Sequence, residues 1–143
     1  RDDVESRGLG DVYKRQMYDL SERIEQSMIQ EMLKELPYPE NILTHTGEVT
    51  KQLFQKAIDQ GHNFRIVFSG SRVSALTEGL ETSLKNALYE KCPKYRTDLR
   101  ANILITILVQ GCYHAYEQYS TIDQDRVVSI ISKIADEISN ECK

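Results

Sequence analysis

Between Ala101 and Val109 only Asn102 and Thr106 are polar. The run belongs to a longer helical pattern that opens at Thr97. It takes in Leu99, Ile103, Leu104, Ile105, Ile107, Leu108 and Val109, then Cys112, Ala115, Tyr116 and Tyr119. A helix apolar over most of its circumference has to be buried on more than one side. The other elements must therefore be arranged around it.

Those elements also follow helical spacing. Leu20, Ile24, Met28, Met32 and Leu36 recur on one face, widened by Ile29 and Leu33, with Glu22, Arg23, Glu25 and Lys34 opposite. Pro37 and Pro39 stop this helix, and a polar loop is expected through His45. Thr46 then reads as an N-cap, Val49, Leu53, Ala57 and Ile58 as a buried face, and Gly61 as the C-terminal stop. The segment Phe64 to Phe68 has strand-like composition, yet no second convincing strand exists to pair with it. A short helix from Asn63 to Gly70 is the reading. Ser71 caps a long helix carrying Val73, Leu76, Leu80, Leu84, Ala87 and Leu88, which ends near Cys92 and Pro93. The final helix is capped between Ser120 and Asp123 and shows Val127, Ile130, Ile131, Ile134 and Ile138. The expectation is an all-α bundle of about five to six helices.

Residues 1–16 are set apart from this pattern. Asp11-Val12-Tyr13-Lys14-Arg15-Gln16 resembles the translated end of a transposon used to prepare sequencing libraries, and Ser6 to Gly10 resembles the adaptor before it. The expected organisation is thus an adaptor-derived stretch over 1–16 and one native domain over 17–143, of metagenomic origin. Met17 is then expected to be internal to a longer gene product. In the first sixteen residues Arg1, Arg7, Lys14 and Arg15 balance Asp2, Asp3, Glu5 and Asp11, so the net charge of −4 belongs to residues 17–143.

A mildly acidic domain is a poor nucleic-acid binder by itself. The one basic patch, Lys91, Lys94, Arg96 and Arg100, flanks a turn and reads as a solvated helix junction. No apolar run reaches membrane-spanning length. Cys92, Cys112 and Cys142 are odd in number and far apart, which suits free thiols in the cytoplasm. His45, His62 and His114 are scattered, and Cys112 and His114, two residues apart, point to different helix faces. No metal, cofactor or catalytic constellation is expected. The stretch Phe68 to Arg72 could be read as a phosphate loop of a small α/β enzyme, but it lacks a glycine fingerprint and a nucleotide-binding lysine.

Two functional features remain. Met28, Met32, Phe54, Phe64, Phe68, Tyr89, Tyr113 and Tyr116 could line an adaptable cavity between helices, with His114, Gln110 and Asn102 as polar handles. Plain core is the competing role for each. The last two helices also carry more apolar surface than one layer can cover. Ile103, Ile107, Gln110, Gly111, Val127, Ile131, Ile134 and Ile138 are expected to form a four-helix homodimer interface.

The pattern resembles the C-terminal domain of TetR-type transcriptional regulators across residues 17–143. Three blocks carry the likeness: Tyr18 to Ile24, Asn63 to Ser69 with the long helix after it, and the closing pair Val109 to Ala115 and Ile122 to Val128. The resemblance implies an effector-sensing, dimer-forming half of a repressor-like switch, preceded by a helix-turn-helix domain that reads DNA. An unknown small-molecule effector bound among the helices would alter the spacing of two such heads, with effector and operator affinity linked reciprocally. The alternative is a free-standing helical interaction module with no DNA-binding role.

Overall fold

The computed structural model describes residues 2–34, 36, 38–61 and 73–141. Among them are six α-helices and one 3-10 helix, and no strand. They are α1 (Asp2–Lys34), α2 (Asn41–Thr44), α3 (Thr46–Asp59) and α4 (Val73–Lys91). A 3-10 turn (Pro93–Thr97) leads into α5 (Leu99–Tyr119), and α6 (Gln124–Glu141) follows. The short helix expected from Asn63 to Gly70, the Ser71 cap and the Phe68 to Arg72 loop lie outside the described residues.

Helix ends follow local chemistry. Gly61 adopts φ +58°, a left-handed conformation that glycine enters without a Cβ penalty, and its N–H donates to the Ile58 carbonyl at 3.0 Å. Pro93 starts the 3-10 turn and closes α4. α5 begins at Leu99, two residues after the expected opening at Thr97, and its cap is Asp98, whose carboxylate accepts from the Ala101 N–H at 3.0 Å. Asp123 does the same for Arg126 at 3.2 Å, inside the expected window. Thr46 is the first residue of α3 rather than its cap, and its buried hydroxyl donates back to the Ile42 carbonyl at 2.7 Å.

Two further expectations are corrected. The polar loop before His45 contains α2, which buries Ile42 in the core. On α1 the apolar stripe is shorter than its spacing suggests. Leu20 is 51 % exposed, and the first described α1 side chain packed on the core is Ile24. Leu36 still packs on the core, but from beyond the helix end at Lys34, because the proline at 37 disfavours helical geometry just before it.

The main core gathers Met28, Ile29 and Met32 from α1, Val49, Leu53 and Ala57 from α3, Leu76, Leu84 and Leu88 from α4, and Ile105 and Val109 from α5. α5 is the central element, touching α2, α4, the 3-10 turn and α6. α6 lies against α3 as well as α5. Its inward face is built from Val128, Ile131, Ser132, Ala135 and Ser139, so two serines take part in the packing. Both serines are satisfied by backbone: Ser132 Oγ donates to the Val128 carbonyl at 2.8 Å and Ser139 Oγ to the Leu43 carbonyl at 3.1 Å. Small residues there let α3 and α6 approach at backbone distance. A Cβ on Gly47 would sit 2.8 Å from the Ser132 carbonyl oxygen. The Gly47 N–H in turn donates to Asp136 Oδ1 at 3.1 Å, satisfying a free donor in the first turn of α3.

Candidate functional site

Where α1, α2, α3, α4 and α5 converge, a cavity of about 60 Å³ remains. Met32 and Ile42 contribute from α1 and α2, and Thr50, Leu53 and Phe54 from α3. Leu76, Thr77 and Leu80 form the α4 wall, and Leu108, Val109, Cys112 and Tyr113 the α5 wall. No charged side chain is among these residues. The Thr50 hydroxyl donates to the Thr46 carbonyl at 2.8 Å. Burial pushes the Cys112 thiol up to about 11. Burial, with a smaller contribution from the Glu117 charge, holds the Tyr113 hydroxyl above its ordinary range.

Of the residues expected to line a cavity, Met32, Phe54 and Tyr113 do so. Met28 is fully buried in the main core. Tyr116 packs on Phe54 with ring centroids 5.0 Å apart, in a cluster with Val128 and Ile131. Tyr89 stands elsewhere. Its hydroxyl donates to Asn102 Oδ1, and Asn102 Nδ2 donates to the carbonyls of Tyr95 at 2.8 Å and Asp98 at 2.7 Å. Tyr89 and Asn102 therefore fasten α4 to the start of α5. The His114 side chain is 82 % exposed and lies 3.7 Å from Glu117. Phe64 and Phe68 fall outside the described residues. Spacing did not find Ile42, because α2 reads as loop. It did not single out Thr50 or Thr77 either, since small polar residues facing inward carry no periodic signal. Cys112 belongs to the apolar pattern of its helix but did not stand out as a cavity residue.

The second feature is an apolar outer face on α5 and α6. Ile103 and Ile107 are 50 % and 54 % exposed, and Ile134 is 48 % exposed. Leu99, Ile103, Leu104 and Ile107 share one groove with Ile138 across the helix pair. Ala115, Tyr119, Ile122, Val127, Ile130, Ile131 and Ile134 share a second, with Asp123 and Arg126 also on its wall. Ile134 and Ile138 are one helical turn apart, so the grooves adjoin along α6. Gln110 is half-buried and Gly111 is exposed with open space around it. Ile131 borders the second groove but is only 7 % exposed, and most of its side chain packs inward with Phe54, Tyr116 and Val128.

The basic patch is solvated, and two of its cations lie over aromatic rings: Lys94 Nζ is 5.1 Å from the Tyr95 centroid and the Arg96 guanidinium 5.4 Å from that of Tyr89. Among the described residues no three His, Cys, Asp or Glu side chains gather as a metal site, and no helix is long and apolar enough to cross a membrane. No protein-family model, curated protein or solved structure matches the chain.

Proposed function

We propose that residues 17–143 form the effector-sensing and dimerising part of a TetR-like transcriptional regulator, with DNA read by a separate helix-turn-helix domain. The observation that carries this reading is the inverted burial of α6. Ser132, Ala135 and Ser139 face the core, while Ile130, Ile134 and Ile138 are exposed, Ile138 beside Ile103 and Ile107 of α5 and the other two beside Ala115 and Tyr119. Contiguous exposed isoleucine on two neighbouring helices marks an interaction surface. A two-fold axis through it would bury the same patch on both copies as a four-helix layer. The cavity on the other side of α5 supplies a place for an effector, and α5 contributes to both sites.

Light scattering on residues 17–143 tests the assembly. The expected species is a dimer that Ile107→Glu converts to monomer, because each copy would bury a carboxylate against apolar surface. A monomer at high concentration, unchanged by Ile107→Glu, would remove the main support for this function.

A further inference from the structure

The wall chemistry of the cavity narrows what it can hold. Its described lining carries no formal charge, and the Thr50 hydroxyl hydrogen is already committed to the Thr46 carbonyl. The two ionisable groups on the wall, the Cys112 thiol and the Tyr113 phenol, are both shifted up by burial and are neutral at pH 7. An ion entering would leave its hydration behind and meet no counter-charge among the described lining residues. An apolar molecule would instead exchange water for Met32, Leu53, Leu76, Leu80 and Leu108. Size adds a second constraint. The cavity is about 60 Å³, whereas a cavity of about 150 Å³ lined by aliphatic and aromatic groups accepts benzene. The void is partly open to its surroundings and the flexible thioether of Met32 can turn aside, so a ring of benzene's size is the most it can take in. We infer that this cavity binds an uncharged, predominantly apolar molecule no larger than a benzene ring. The inference rests on the sensing function proposed above for its purpose, but its chemistry stands on the wall alone.

The test uses the full chain with benzene as probe, and benzoate and benzylamine as charged analogues of the same ring. Benzene is expected to raise the melting temperature in a dose-dependent way and to shift the methyl NMR signals of Leu53, Leu76 and Leu108. The charged analogues at equal concentration should do neither. Val109→Phe, or the milder Cys112→Leu should the first not fold, fills the cavity and should abolish the benzene response. An equal response to the charged analogues, no response to benzene, or a benzene response that survives filling overturns the inference. Light scattering on the same samples separates the two ideas. A dimer that ignores benzene overturns the ligand class and leaves the assembly standing, and a benzene-binding monomer does the reverse.

Discussion

Gly47→Ala sets two ordinary effects against each other. An alanine normally stabilises a helix relative to glycine by about 0.5–1 kcal/mol, and Gly47 has no positive φ to forbid it. Its Cβ, however, would stand 2.8 Å from the Ser132 carbonyl oxygen and 3.0 Å from Asp136 Cβ. The first obstacle is backbone of α6, so the helix itself has to retreat. Overpacking of this kind costs about 1–3 kcal/mol. The retreat also stretches the 3.1 Å bond from Gly47 N–H to Asp136, and a hydrogen bond to a charged group is worth about 1.5–3 kcal/mol when lost outright. The net expectation is a destabilisation of about 2 kcal/mol. At about 4 °C per kcal/mol for a domain of this size, the melting temperature falls by about 8 °C. Gly79→Ala is the matched comparison. Its Cβ would meet an atom at nearly the same distance, 2.9 Å, but that atom is Ile29 Cδ1, the far end of a flexible side chain. Thermal unfolding followed by circular dichroism should show Gly79→Ala near wild type and Gly47→Ala well below it. Equal melting temperatures for the two variants would refute the claim that α3 and α6 meet at backbone distance.

Three further outcomes are expected. Gly111→Ala should raise the melting temperature of the monomer by the equivalent of about 0.5–1 kcal/mol, since a Cβ there meets nothing within 4 Å; a fall under dilute, monomeric conditions would contradict that open space. Asp98→Ala should cost about 1 kcal/mol in denaturant unfolding by stripping the cap from α5, and Asp98→Ser should recover most of it. With Cys92 and Cys142 replaced by serine, Cys112 should alkylate at pH 8 about 100-fold more slowly than a free thiol, because its shift from 9.0 to about 11 lowers the thiolate fraction by that factor. The folded value is the raised one, so the linked stability is intact below pH 9 and is lost as pH climbs toward 11. Alkylation at the free-thiol rate would show the thiol to be accessible and unshifted.

Helix identity was legible because it rests on strong local signals: the 3.6-residue spacing of Met28, Met32, Leu84 and Leu88, the proline at 93 and the glycine at 61. Facing was less so. On α6 Ile131, Ile134 and Ile138 were expected together on an outer face. Ile134 and Ile138 do face outward, but Ile131 turns inward beside Ser132 and Ser139, which gave no apolar signal. Hydropathy cannot see that a small hydroxyl satisfied by backbone admits a closer neighbour than a branched chain does. His114 misled for a related reason. It lies along the face of Ile103, Ile107 and Gly111, which is open in the protomer, and not on the face toward the cavity. The cavity was only partly legible, since Met32, Phe54 and Tyr113 are apolar and periodic but Thr50 and Thr77 are neither.

The seam between α3 and α6 also gives the cavity a direction of give. Glycine and alanine have no side-chain rotamers to relax into, and the Ser132 hydroxyl is held on the Val128 carbonyl, so Gly47, Ser132 and Ala135 make a joint without slack. Phe54 and Leu53 are therefore mounted on a wall braced from behind. Across the void, Met32 and Leu80 have longer side chains with alternative rotamers. A molecule that swells the cavity will spend its push on α1 and α4, while α3 moves only with α6 as one block.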